Sequence, residues 1–544
     1  MLPCGKTRSH GEDQAIVSEG THTSGIAKRI VRAAGAQGVN QLARVVQLFL
    51  LVPICLGAWG TGIYEDWVLL NAVAAFVMLA DIGFVQSTMV KLLDAWSKAE
   101  PERFSREWGL ALGIFSALSA GLILLLGLSW ISPIWTWIIP ARQLQGTELA
   151  SLAVFLCLTQ VGNILITLGL AVYRARGDLS RSYHVSSILV GLQTAAIVLP
   201  AAVGKGPVGS AAGTSVSTAA TLIAIITDLR LRYPDMAWRP RWPSTREFFR
   251  EVRNAIGYLS NPIATTIMLQ GPTVILAQSG AAQGAIAVFT ATRTIAGAAR
   301  QLPYQFAHPA GVELAGLLAR GDRAGLSRVY TSASRALAII VGALSGFTLV
   351  VAPLVMVLWT RGKISYDGVL MLMMVATTAI CAPSQVAYQF LWYGGYPGRL
   401  SKALIFSTCL AIGGAVLLAP SLEARGVAIG VGFGEVLGVA VYLSFLVDRM
   451  LGRNAAMGLL RNFAATVLAF FGSAGACYLI DRSIGPRGWF GLIEFAVLWT
   501  FPAAAGLYWT LLNKEQRARV AARALGFFRA RRAKPSSANT ADAG

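Results

Sequence analysis

Charge is what this sequence has least of. Only 13% of its 544 residues are Asp, Glu, Lys or Arg, about half the share of an ordinary soluble chain. That excludes a soluble globular enzyme and a disordered scaffold. Acid is scarcer than base, with 26 Asp+Glu against 46 Lys+Arg and a formal net charge of +20. Histidine occurs 4 times and cysteine 6 times. Cys4, Cys55, Cys157, Cys381, Cys409 and Cys477 lie far apart, with no CxxC and no Cys/His cluster, so neither a metal site nor a disulfide framework is indicated. No GxxxxGK[ST], HExxH or GxSxG run is present, which removes a built-in ATPase and the common hydrolytic designs. No cofactor and no enzymatic activity are expected. The first 25 residues are polar, so no cleavable signal peptide is expected either.

What the chain has instead is apolar length. Hydrophobic residues make up 55% of it and the mean hydropathy is +0.59. Runs long enough to cross a bilayer as helix lie near 35–57, 67–90, 108–130, 148–173, 185–203, 208–229, 255–279, 284–308, 333–359, 367–393, 402–420, 425–447, 460–481 and 488–512. The expectation is an all-α polytopic membrane protein with about 14 transmembrane helices. With the N-terminus inside, 36 Lys/Arg fall in inside segments, 7 in outside loops and 3 (Arg44, Arg293, Arg300) within spans. By the positive-inside rule both termini are then cytoplasmic and the protein is multi-pass in the plasma (inner) membrane. The same distribution assigns the basic surplus to topology and anionic lipid, not to nucleic acid. The flanks read as a disordered cytoplasmic tail over 1–30 and a basic cytoplasmic tail over 513–544. The latter carries Phe527 and Phe528 and suits an interfacial helix or a solvated charged tail.

A faint duplication organises the rest. Gly-x-Leu-Ser-Arg/Lys occurs at 177–181 and 398–402, a separation of 221 residues, and Gly206–Gly213 resembles Arg425–Gly432 further on. An offset of six spans gives two halves of the same orientation. Such parallel repeats are a transporter architecture with the substrate site between the halves. The expected domains are a six-helix lobe over 31–229, a cytoplasmic linker over 230–254, a second six-helix lobe over 255–447, and two further helices over 448–512.

Polar groups inside spans are the functional suspects, because each is expensive unless it faces protein or water. The first span carries Gln37, Asn40, Gln41, Arg44 and Gln47 within an arc of about 120°. This is either a wet cavity wall or a hydrogen-bonded seam. The eighth span carries Arg293, Arg300 and Tyr304 on one face, with Arg293 roughly 14 Å along it and Arg300 one step closer to the cytoplasm, where it can also snorkel. Guanidinium forks suit phosphate, so these groups suggest an anionic, phosphorylated substrate. The rival is internal pairing with Asp81 or Glu435, which are also the candidates for ion coupling. Gln385, Tyr388, Gln389 and Trp392 share an arc of the tenth span, where they can bind sugar or belong to an interfacial aromatic belt. Pro262 and Pro272 in the seventh span are candidate hinges.

Three stretches, Leu-Ala-Asp-Ile-Gly-Phe at 79–84, Tyr-Arg-Ala-Arg-Gly-Asp at 173–178 and Phe-Thr-Ala-Thr-Arg-Thr at 289–294, resemble bacterial polysaccharide transporters. Those belong to the multidrug/oligosaccharidyl-lipid/polysaccharide exporter superfamily. The resemblance implies two six-helix lobes around a central cavity, with fourteen helices suiting the lipid-linked branch. It further implies a flippase moving undecaprenyl-diphosphate-linked oligosaccharide for lipopolysaccharide or exopolysaccharide synthesis, by alternating access of a cationic cavity. The cavity residues would be Arg44, Arg293 and Arg300, with Asn40, Gln41, Tyr304, Gln385 and Gln389 beside them. The implied partners are membrane lipids and a polysaccharide polymerase or glycosyltransferases around a monomeric transporter. Two alternatives stand beside it: a multidrug or cation efflux antiporter of the same fold, which wants acidic cavity residues, and a membrane polymerase or glycosyltransferase, which wants a sizeable outer loop.

Overall fold

The computed structural model describes residues 10–511, apart from 237, 486 and 487, together with Arg517. The basic C-terminal tail expected over 513–544 therefore lies, Arg517 aside, outside the described residues. Among the described residues there is no strand. The helices run in order His10–Ala75 (α1), Phe84–Ser97 (α2), Pro101–Trp130 (α3), Ile134–Ile138 (α4), Gly146–Ala175 (α5), Leu179–Ala202 (α6), Gly206–Arg232 (α7), Thr245–Gln278 (α8), Ala285–Ala319 (α9), Arg323–Thr360 (α10), Gly368–Cys381 (α11), Ser384–Tyr393 (α12), Pro397–Glu435 (α13), Ser444–Met450 (α14), Ala455–Ile484 (α15) and Gly488–Leu511 (α16). Because α1 begins at His10, helix and not an irregular tail covers residues 10–30.

Nine stretches among the described residues are long and apolar enough to span, or ten with the bent pair α11–α12, whose halves meet at 49°. Two of the nine are too long to be single crossings. Gly35–Asp81 has 47 residues and Pro397–Met450 has 54, against the ~20 that a bilayer needs. Each is broken near its middle by a backbone that no helix tolerates, Gly60 at φ 77°, ψ 174° and Glu423 at φ 47°. Counting each as two and the bent pair as one gives twelve among the described residues; the long, Pro- and Arg-bearing α8 and α9, which fall short of that criterion, make the arrangement consistent with the fourteen expected.

The second segment is itself divided. It passes through a 3-10 turn at Phe76–Asp81, then Ile82 and Gly83 take left-handed conformations (φ 49° and 79°) before α2 starts. The Leu-Ala-Asp-Ile-Gly-Phe motif is this break. Asp81 accepts a hydrogen bond from the Val85 amide at 2.9 Å, so its carboxylate caps the restarted helix.

The duplication is sharper in the backbone than in the letters, and its register differs. Helix ends at Ala175 and Tyr393, helix starts at Leu179 and Pro397, and helix ends at Arg232 and Met450 are each 218 residues apart. So are the turn glycines Gly177 and Gly395, both left-handed at φ 81° and 79°. The expected register of 221 pairs Gly177 with Gly398, which lies inside α13 and has no left-handed requirement. A helix–turn–helix needs one residue at positive φ, and that residue, not the surrounding letters, marks equivalence.

By internal contacts the described chain forms two compact units. One comprises 1–291, 359–366 and 404–434, and the other 292–358, 367–403 and 435–544. This partition cuts α9 and α13 and does not follow the 230–254 linker. In the first unit α1 packs on α6, α5 on α7, and α2 on α3 and α5. In the second, α15 packs on α14 and α16, and a π-helix at Val436–Leu443 packs on α11 and α12.

The segment expected as a linker is docked in the first unit. Its Arg241 amide donates to the Gly109 carbonyl at 2.8 Å. A Cβ on Gly113 would lie 2.2 Å from the Arg241 carbonyl oxygen, so this glycine is what admits the strap. Trp238 packs edge-on against Trp108, and Met236 is buried. The strap ends at Ser244, which forms a reciprocal capping box with Glu247 at the start of α8.

Candidate functional site

In the first unit, α1 turns its polar stripe inward. Asn40 is buried and Gln37, Gln41 and Gln47 are half-buried, while Val39, Leu42, Val46 and Leu50 are exposed. That is the arrangement of a helix with lipid on one side and protein or water on the other. Arg44 belongs to the polar arc yet keeps an exposed side chain. Among the described residues it has no carboxylate within ion-pair distance, although it lies partway along a spanning helix.

The second unit brings together Arg300, Tyr304, Cys381 and Glu435. Arg300 and Tyr304 lie one turn apart on α9. Glu435 sits at the junction where α13 turns into the π-helix, and its field acts on the Arg300 guanidinium. Of the two acids expected as possible partners, Glu435 lies in this cluster near Arg300, while the Asp81 carboxylate accepts from the Val85 amide. Arg293 lies two turns nearer the start of α9 and stays half-buried, as does Arg300. π-Helical turns recur at functional positions because the extra residue re-aims side chains, and this one begins beside the only acid in the cluster.

Gln385, Tyr388, Gln389 and Trp392 form a half-buried arc of α12, with Val386, Ala387, Phe390 and Leu391 buried behind them. Gly311 of α9 lies against Gln389, where a Cβ would fall 2.5 Å from the Gln389 Cβ. This places Gln389 about three turns along α9 from Arg300. Pro262 and Pro272 both lie inside α8, which continues as helix through each.

Several polar groups that decide the structure were not singled out by the sequence. Glu65 and Asp66, at the second segment's start, are both buried. Glu65 accepts from the Gly284, Ile286 and Ala287 amides at 2.9, 2.9 and 3.1 Å, capping α9. Asp66 accepts from the Arg142, Gln143 and Leu144 amides at 3.0, 2.8 and 2.9 Å. Two adjacent carboxylates thus hold two separate backbone turns. The signal available was an acid pair between two apolar runs.

The Tyr-Arg-Ala-Arg-Gly-Asp motif is a clamp. The fully buried Tyr173 donates its hydroxyl to Asp228, which Arg181 also binds, with Nε at 2.9 Å. Arg176 is enclosed by the rings of Tyr233, Trp96 and Phe104 at 4.3, 4.7 and 4.8 Å. It reaches the Asp235 carboxylate at 2.6 Å, which holds that carboxyl below the usual range. In the second unit Arg453 joins Asp448 at 3.2 Å to the Ser327 carbonyl at 3.2 Å and to the Thr331 hydroxyl. Among the described residues no group of three His, Cys, Asp or Glu can hold a metal ion.

No protein-family model matches this sequence, and no curated protein matches it. Solved structures do. A lipid II flippase MurJ in an inward closed conformation aligns over 90% of this chain and 100% of its own, with TM-score 0.65 and 12% identity. An inward-facing multidrug resistance MATE family transporter of the MOP superfamily aligns over 82% and 100%, with TM-score 0.59 and 18% identity. A MOP superfamily transporter from Pyrococcus furiosus, described as having a binding pocket of reverse polarity that suggests a different function, aligns over 81% and 96%, with TM-score 0.52 and 17% identity. This chain is a multi-pass membrane protein that shares the fold of these three solved structures.

Proposed function

We propose that the chain is a flippase that moves a polyprenyl-diphosphate-linked oligosaccharide, of the undecaprenyl type, from the inner to the outer leaflet of the inner membrane. Both termini are cytoplasmic and the transporter acts as a monomer, ahead of a polysaccharide polymerase or glycosyltransferases. The observation that carries this reading is Arg44, a guanidinium on a spanning helix with no carboxylate near it among the described residues. Arg293 and Arg300 add two more half-buried guanidiniums on α9. A diphosphate is the ligand whose paired oxygens suit such forks. Asn40, Gln41, Tyr304, Gln385 and Gln389 supply neutral partners for phosphate and sugar oxygens.

The substrate's apolar chain needs a place as well. A groove of about 440 Å³ between α10, α15 and α16 is lined by Ala, Leu, Gly and Trp499, with Arg335 among its lining residues. Glu435, beside Arg300, is the favoured group for coupling to protons or sodium, with Asp81 second because it already caps α2. Pro262 and Pro272 are the positions where α8 would bend during alternating exposure of the site.

A cation-efflux reading asks for acids that a cation can reach. The buried acids among the described residues are engaged: Glu65 and Asp66 by backbone amides, Glu251 by Lys91 and Asp448 by Arg453. The deciding experiment deletes the gene and measures surface polysaccharide, lipid-linked repeat units and drug tolerance. The proposal expects lost surface polymer, complete lipid-linked units retained inside and unchanged drug tolerance. Loss of drug tolerance with intact polymer would overturn it in favour of efflux, and unpolymerised units in the outer leaflet would point to a polymerase.

A further inference from the structure

Helix α1 gives up a hydrogen bond that the substrate site does not explain. Pro53 lies within it and has no N–H, so the Phe49 carbonyl four residues back loses its helical donor. An unmet carbonyl is costly where no water competes for it. The indole Nε1 of Trp359 donates to that carbonyl at 2.7 Å, with its ring 5.2 Å from the Phe49 ring. In the last turn before the break at Gly60, Lys363 Nζ donates to the Leu56 carbonyl at 2.9 Å. A cation at that end of a helical segment also meets its dipole.

Both donors come from one tight turn. The Lys363 amide closes it onto the Thr360 carbonyl at 3.1 Å, with Arg361 and Gly362 left-handed at φ 54° and 72°. A non-glycine residue holds that conformation only where its surroundings enforce it. Here Trp359 and Ile364 on either side are buried.

We propose that Trp359 and Lys363 are positioning residues. They replace what α1 lacks at Pro53 and Gly60, hold the helix in its bent course, and thereby set the direction in which Arg44 faces. The shape of the first span is thus governed by a turn 310 residues away in sequence. The role assigned to Arg44 rests on the proposed function; the support of α1 does not.

The test uses the full-length protein in lipid nanodiscs and proteoliposomes, with four variants: Trp359→Phe, Lys363→Met, Pro53→Ala, and Pro53→Ala with Trp359→Phe. Phe keeps the ring stacking and removes only the donor, while Ala at 53 restores the backbone donor. Amide hydrogen exchange over residues 45–60 reads the helix, and translocation of a diphosphate-linked polyprenyl oligosaccharide reads transport. Trp359→Phe and Lys363→Met should each speed exchange about five-fold or more, the effect of one buried acceptor left unmet, and slow transport. In the Pro53→Ala background Trp359→Phe should change neither. Unchanged exchange in Trp359→Phe, or an equal change in both backgrounds, overturns the proposal. The expected exchange pattern without translocation by any variant or the parent upholds the support of α1 and removes the functional reading instead.

Discussion

Helix α7 and its counterpart 218 residues on make opposite use of the same length of chain. Helix α7 is regular from Gly206 to Arg232 and satisfies its polar groups with neutral neighbours. Thr218 accepts from Gln193 at 3.0 Å, Gln193 also reaches Asn163 at 3.3 Å, and Ser215 meets Thr159 at 3.1 Å. The counterpart starts after the break at Glu423, departs into a π-helix at Glu435, and faces an arginine. A neutral, mutually bonded seam fixes helices; a charge next to irregular backbone is the pattern of a group that changes partners. On the proposed function, one copy of the duplication holds the bundle together and the other carries the chemistry.

That contrast breaks most readily at the guanidiniums. Arg293→Ala and Arg44→Ala should each abolish translocation measured as surface polymer, while Lys at either position retains part of it, since a point charge lacks the paired donors. Gln193→Leu should leave translocation intact and lower thermal stability only modestly. Equal transport losses at Gln193 and Arg293 would erase the distinction between seam and site.

Next in size is the acid pair Glu65 and Asp66. Glu65→Gln keeps one acceptor but weakens three charge-assisted bonds to the start of α9. It should cost about 2–3 kcal/mol, read as a lowered thermal midpoint in detergent. Gly113→Ala should cost about 1–3 kcal/mol through overpacking against the Arg241 carbonyl. Gly121→Ala, with nothing within 4 Å of the new Cβ, is the control and should be neutral.

How far these features were legible in the sequence depended on what kind of signal each leaves. Spans are written in side chains: hydropathy predicts fourteen segments, and the polar arc of α1, Arg44 excepted, lies on the less exposed side of the helix. Glu65 and Asp66 bind backbone amides, which are the same for every residue, so no partner letters announce them. The fusion of two spans across Gly60 leaves no polar loop to read. The repeat shows in the letters three residues out of register, because a shared Leu-Ser-Arg/Lys run is a stronger sequence signal than the turn glycine whose positive φ defines equivalence. The Tyr-Arg-Ala-Arg-Gly-Asp motif carried the family resemblance, yet its residues form a clamp through an aromatic cage and Asp228. The residues with which it pairs lie 55 and 59 positions away, beyond any local pattern.

The smallest expected effect tests that clamp. Arg176 holds the Asp235 carboxyl below its ordinary value near 3.8. A carboxyl depressed in the folded state stabilises above its unfolded pKa, and that contribution is lost as pH falls through the folded value. Asp235 is half exposed, so solvent screens much of the pair's worth. Between pH 6 and pH 8 the wild type and Asp235→Asn should therefore keep a constant, small difference in thermal midpoint, closing only below about pH 4. Arg176→Leu should behave differently. It removes the cation from three rings and frees the strap at Tyr233, so its loss should exceed that of Asp235→Asn and persist at low pH. Equal losses that vanish together in acid would mean that the ion pair, and not the cage, secures the strap.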